Sequence, residues 1–184
     1  MNDLIERTIE FLAKQKAVPE VKGTGGAEAE LAARQTDTVF VAGAFFVEKL
    51  TYMIEERIIK ERLSNGRLFI NVHGFANFMK RRKRYEAIDE LENQVFVYGA
   101  DERPEWPFKH AKPVPLNPAD ELKSCWFAVY VNDKTSCCLV ARRLKGRPQS
   151  VEKYRFRGFW TTRPQITHYV CDYLVRVVNA QYGL

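Results

Sequence analysis

The feature that most restricts how this chain can fold is a pair of short apolar runs, Leu68 to Val72 and Val95 to Tyr98, on either side of a helical stretch from Phe75 to Leu91. Strand, helix and strand in that order read as a βαβ unit, whose crossover makes the two strands parallel and leaves the helix on one face. The next segment, Asp101 to Ala119, carries five prolines and reads as an irregular crossing. Within it Lys112 to Leu116 suits an edge strand, where proline is tolerated. Trp126 to Val131 and Ser136 to Arg142 then flank Asn132-Asp133-Lys134-Thr135, which is turn chemistry at hairpin spacing. Tyr154 to Trp160 supplies a last strand. Thr162-Arg163-Pro164-Gln165 pairs a capping box with a first-turn proline, and Ile166, Tyr169, Val170, Tyr173, Leu174, Val177 and Val178 recur at helical spacing. The expected fold is therefore α+β: one domain, a mixed β-sheet with a βαβ unit and an antiparallel hairpin, packed against several helices including a long C-terminal one.

The N-terminal part is less patterned. Leu4 to Gln15 reads as a helix, with Asp3 and Glu6 in capping positions. Ala17 to Glu30, with Pro19 and Gly23-Thr24-Gly25-Gly26, reads as a flexible connection. This divides the chain into residues 1–30 and 31–184, and leaves the first helix three destinations: the body, a second copy in a homodimer, or a partner. Phe45 to Leu63 is an amphipathic helix, while the preceding Thr38 to Ala44 suits either a strand or the helix's first turns.

Composition narrows the class. With 184 residues, 46% of them hydrophobic, the chain can bury a substantial core. The longest apolar run, Val39 to Val47, falls far short of the roughly 20 residues a membrane helix needs. No secretory signal is evident at Asn2-Asp3, and Cys125, Cys137, Cys138 and Cys171 form no regular framework. A cytoplasmic protein with reduced thiols and no membrane association is expected.

Neither the glycine-rich segment nor the histidines carry a recognisable catalytic pattern. Gly23-Thr24-Gly25-Gly26 lacks the lysine of a phosphate loop, and His73, His110 and His168 are scattered. His168 and Cys171 lie three apart on the last helix, but Cys137 and Cys138, as strand neighbours, point to opposite faces and do not complete a metal site with them. No enzyme and no metal is expected, and the sequence leaves the cofactor unknown.

The net charge of +6 makes an anionic partner worth pursuing. Basic residues concentrate in Lys80, Arg81, Arg82, Lys83 and Arg84, with smaller groups at 142–147 and 155–157. A continuous helix would place Arg82 between the directions of Phe75 and Phe78. Two readings follow: its stem packs along the aromatics while its head pairs with Glu86, or it lines a pocket and meets an anion. Trp126, Phe127, Phe156, Phe159 and Trp160 cluster on the last strands with Arg155 and Arg157 interleaved. Alternation puts Phe156 and Gly158 on one face and Arg157 and Phe159 on the other, so one face suits the core and the other a pocket or interface. Such aromatics and arginines also suit nucleic-acid binding, the second reading, in which the run 80–84 supplies the charge.

Several blocks in order resemble the DICT domain, a sensory module associated with diguanylate cyclases and two-component systems. They are Leu50-Thr51-Tyr52-Met53-Ile54-Glu55-Glu56, Leu68-Phe69-Ile70-Asn71-Val72, Arg84-Tyr85, Val95-Phe96-Val97-Tyr98-Gly99, Trp126-Phe127, Leu139-Val140-Ala141-Arg142-Arg143 and Phe156-Arg157-Gly158-Phe159-Trp160-Thr161, across residues 45 to 180. The resemblance implies a non-enzymatic cytoplasmic sensor of a kind often found in cyanobacteria, with a tie to light response and usually fused to an output domain. The chain is nearly free-standing, so the expected output is in trans: a histidine kinase, response regulator or diguanylate cyclase. The expected ligand or partner contacts are Arg82, Tyr85, Trp126, Arg157, Phe159 and Trp160.

Overall fold

The computed structural model describes residues 2–14, 18–23, 25–117, 119–144 and 155–182. In chain order they form α1 (Asn2–Ala13), β1 (Glu20–Gly23), α2 (Gly26–Ala33), β2 (Asp37–Gly43), α3 (Ala44–Lys60), β3 (Arg67–Asn71), α4 (Phe75–Met79), α5 (Arg82–Asp89), β4 (Gln94–Gly99), β5 (Ala111–Pro115), β6 (Cys125–Val131), β7 (Ser136–Arg143), β8 (Arg155–Thr161) and α6 (Pro164–Tyr182). The fold is α+β, with one mixed sheet in the order β1-β2-β8-β7-β6-β3-β4-β5. The expected βαβ unit is present, with β3 parallel to β4, and the expected hairpin joins β6 and β7 antiparallel. The proline-bearing β5 lies at the sheet edge, parallel to β4. Among the described residues, no helix is long and apolar enough to cross a membrane.

The pleat sorts the strands' side chains into two cores. On one face Phe46, Leu50, Ile54, Phe78, Tyr85, Trp126, Phe156 and Trp160 pack under α2 to α5. On the other, Ile5, Ile9, Phe69, Tyr98, Phe127, Phe159, Val170 and Leu174 pack under α1 and α6. Cys137 belongs to the first core and Cys138 to the second, as alternation requires. All four cysteines are buried free thiols. Burial pushes Cys125 up to about 11 and Cys171 up to about 12, which keeps both protonated and unreactive at neutral pH.

Three expectations are corrected and one left open is decided. The segment Ala17 to Glu30, expected to be a flexible connection, contains β1 and the start of α2. Four-residue β1 is held by its parallel ladder with β2, Glu20 opposite Val39, and α2 buries alanines (Ala29, Ala32) too small to register as an apolar stripe. Ala17 and Thr24 of that segment lie outside the described residues, as do residues 15 and 16 at the end of the expected first helix and the side chain of Asp3. Thr38 to Ala44, left open between a strand and the first turns of the helix, is strand up to Gly43 and paired along its length with β8, and α3 begins at Ala44. Tyr169, expected in the apolar stripe of α6, is 56% exposed, while Val170, Leu174 and Val178 are buried. The expected helix from Phe75 to Leu91 is broken in two, because Arg81 leaves helical geometry at φ −107°, ψ 18°. Across the break Tyr85 and Ile88 still face the core, with the Tyr85 ring stacked 4.0 Å from Phe78.

Candidate ligand crevice

Because β2, β3, β4, β5 and β7 run one way and β6 and β8 the other, the ends of the first group share an edge with the starts of the second. Crevices outside the carboxyl ends of parallel strands are recurrent ligand sites. Here the edge is shaped by the chain leaving β3. His73 adopts φ +64° and Gly74 φ +108°, a left-handed pair that swings the chain directly into α4. Asn71, buried at the end of β3, fixes the turn. Its Oδ1 accepts from the His73 N–H at 3.0 Å and its Nδ2 donates to the Leu122 carbonyl at 2.9 Å. Asp101, just beyond β4, accepts from the Phe75 and Ala76 N–H groups at 2.8 and 2.9 Å and closes the start of α4.

The result is a cavity of about 640 Å³, within the range of small-molecule sites, bounded by Ala44, Glu48, Val72, His73, Asn77, Lys80, Arg81, Trp126, Arg143 and Phe156. One wall is aromatic: His73 meets Trp126 edge-on at 5.1 Å, and Phe156 lies 5.7 Å from His73 and 5.9 Å from Trp126. The indole is fixed in place because its N–H donates to Thr51 Oγ1 at 2.9 Å. Burial, reinforced by the Arg143 charge, lowers the His73 pKa, so its imidazole is neutral at pH 7. Lys80, Arg81 and Arg143 add cationic groups to the lining, Arg143 standing beside Phe156 in the β7–β8 ladder. A second cavity of about 340 Å³, bounded by Asn71, Gly74, Asp101 and Lys123, shares His73 and Arg143 with the first, so the two lie side by side.

Arg81 ties the crevice to the interior. Its Nη2 holds Glu48 at the rim, and its Nη1 lies 3.6 Å from Oε1 of Glu55, a fully buried residue of α3. Tyr85, also fully buried, donates its hydroxyl to the same oxygen. Arg84, stacked over Tyr52 at 3.9 Å, places Nε 3.3 Å from Glu55 Oε2, yet that oxygen accepts no hydrogen bond among the described residues. Burial raises the Glu55 pKa in spite of the Tyr85 hydrogen bond and both guanidinium groups. Burial likewise pushes the Tyr85 phenol well above its ordinary range, followed by the effect of the Glu55 charge.

The expected contact residues are only partly gathered here. Trp126 lines the crevice and Tyr85 lies behind it. Arg82, expected among the core-facing positions, is exposed and pairs with Glu86 at 2.6 Å, because the break at Arg81 turns it outward. Trp160 is on the crevice's face of the sheet but buried elsewhere, its indole donating to the Gln35 carbonyl at 3.2 Å. Arg157 and Phe159 fall on the opposite face by strand alternation: Phe159 is core, and Arg157 bonds Glu6 of α1 at 3.2 Å. Arg142 meets the same Glu6 at 2.6 Å, so that residue anchors α1 to the sheet. In the basic run, Lys80 and Arg81 face the crevice, Arg84 turns to Glu55, and Lys83 is exposed. The run is therefore not one continuous basic surface. Lys145 to Arg147 and the Arg155 side chain lie outside the described residues. Reading from sequence missed His73, Glu48, Asn77, Glu55 and the role of Arg143. The visible signal was His73-Gly74 directly after a strand, a place where glycine marks a sharp turn.

A family model described as a sensory domain in diguanylate cyclases and two-component systems, DICT, matches residues 30–144. The matched region includes β2 through β7 and hence every crevice-lining residue named above except Phe156. No curated protein and no solved structure matches the chain.

Proposed function

This chain belongs to the DICT family of sensory domains, and we propose that it senses a small organic anion held in the crevice at the carboxyl edge of its sheet. The family is sensory and not catalytic, and the proposed role is to report the bound state in trans to a signalling output protein: a histidine kinase, response regulator or diguanylate cyclase. The observation that carries the reading is the presence, in one cavity, of the aromatic group His73, Trp126 and Phe156 and the cationic group Lys80, Arg81 and Arg143. The first suits a flat apolar ring and the second a negative group.

Arg81 supplies the route outward. An anion drawing its guanidinium into the cavity weakens its hold on Glu48 and on Glu55, and Glu55 joins α3 to α5 through Tyr85. Ligand occupancy then biases the packing of α4 and α5 against α3, a two-state element of the kind a partner can read.

Calorimetric titration of a panel of small aromatic anions tests this. Loss of the Trp126 ring in Trp126→Ala is expected to weaken a binder roughly 5- to 150-fold, the worth of one aromatic stacking contact. Lys80→Ala, at an exposed position, is expected to weaken it without altering the thermal midpoint. Arg82→Ala serves as the outward-facing control and should bind as the wild type does. Binding that is equally insensitive to all three substitutions would place the ligand elsewhere.

A further inference from the structure

We propose that the ligand is a planar heterocycle bearing a phosphate monoester, its ring against Trp126 and its phosphate taking the place of Glu48 on Arg81. This rests on the ligand-binding reading above and adds the chemical class. The first reason is charge. Among the described residues the two adjacent cavities are lined by Lys80, Arg81, Lys123 and Arg143 against Glu48 and Asp101, a formal surplus of two positive charges. A phosphate monoester carries about −1.5 to −2 at pH 7, and a carboxylate carries half of that or little more.

The second reason is availability. Both Asp101 oxygens are engaged by the α4 N–H groups, so this carboxylate is fixed in place. Glu48 is different: its side chain is half exposed, and its pair with Arg81 sits at the rim, where ion pairs are weak. Arg81 itself is only 21% exposed, with two N–H groups suited to a bidentate oxyanion. Exchanging a solvated carboxylate for a dianion in a more sheltered place strengthens the contact without leaving a buried charge behind, because Glu48 returns to water.

The third reason is the shape of the crevice. The larger cavity is predominantly apolar and has the fixed indole on its wall, whereas the smaller one offers Asn71, Lys123 and Arg143. A heterocycle whose ring and phosphate occupy the larger cavity, with a further polar edge turned toward the smaller one, fits that division. The neutral His73 imidazole at the junction has an N–H for the ligand's polar edge, with no charge to balance.

The test is titration of AMP, GMP and FMN against adenosine, guanosine and riboflavin, with inorganic phosphate and benzoate alongside, on wild type and on Glu48→Gln. The expected result is that at least one monophosphate binds about 10-fold or more tightly than both its phosphate-free parent and inorganic phosphate. Glu48→Gln, which removes the competing carboxylate, should tighten that monophosphate several-fold and leave the parent unchanged. A monophosphate no tighter than its parent, or one indifferent to Glu48→Gln, overturns the phosphate assignment. If benzoate or a parent compound binds nonetheless and loses affinity in Lys80→Ala or Trp126→Ala, the crevice stands as the sensory site and only the ligand class is wrong. If none of the eight probes binds, the phosphate assignment falls and the aromatic-anion panel decides the broader reading.

Discussion

Tyr85→Phe is expected to lower the unfolding free energy by about 2–4 kcal/mol at pH 7, and by less at pH 4.5. The ring is conserved in shape, so packing against Phe78 survives and the loss falls on one group. Glu55 is fully buried, its Oε2 already lacks a hydrogen bond among the described residues, and its Oε1 depends on the Tyr85 hydroxyl. The sign of the pH effect follows from the raised Glu55 pKa. Burial makes the folded state hold the carboxyl proton more tightly than the unfolded chain does, so Glu55's contribution is most favourable below its ordinary 4.5 and is lost as pH rises through its folded value. The Tyr85 hydroxyl limits that loss by favouring the ionised form. Without it the folded pKa rises further and the deficit widens with pH. Denaturant titrations of both proteins from pH 4.5 to 7.5 check this, since acid effects elsewhere cancel in the difference. A gap that is constant or narrows toward neutral pH would show that Glu55 does not rely on Tyr85.

The second large effect is expected at Gly158, in the middle of β8. It lies opposite Phe40 of β2 on one side and Ala141 of β7 on the other. A Cβ there would run into the Val140 carbonyl oxygen and stand 2.7 Å from Ala141 Cα and 2.8 Å from Ala141 Cβ. Backbone cannot step aside as a flexible side chain can, because β7 is bonded along its length to both β6 and β8. Gly158→Ala is therefore expected to cost about 3 kcal/mol or more, and Gly158→Val to prevent stable folding. Thermal unfolding of Gly158→Ala combined with Ala141→Gly separates the causes. Relief of the Ala141 Cβ contact should restore only part of the stability, whereas full recovery would mean that side-chain crowding, not the β7 backbone, sets the limit.

Much of the fold was legible locally. The strand, helix and strand around Phe75 to Leu91, the Asn132 to Thr135 hairpin and the capped stripe of α6 each carry their signal in residues close in sequence. The elements that were not legible depend on distant ones. Glu20 to Gly23 is a strand because β2 offers it a ladder, and α2 buries alanines that no hydrophobic period would flag. The candidate site was less legible still. Trp126, Lys80 and Arg81 were singled out by residue type, but one break in a helix exchanged the roles of Arg81 and Arg82. Strand alternation had already separated Arg157 and Phe159 from the Phe156 face, but no local pattern shows which face holds a cavity.

The sequence by itself determined the family, through ordered blocks that resemble it, and it determined the α+β class, the mixed character of the sheet and the types of residue available for recognition, because periodicity, turn chemistry and composition are properties of neighbouring residues. The tertiary structure alone decided which of those residues meet. The starts of β6 and β8 are brought beside the ends of β2, β3 and β7, so that Trp126 and Phe156 face His73. Glu55 lies under Tyr85 across 30 residues of chain, and that burial is what gives one carboxylate a hold on two helices.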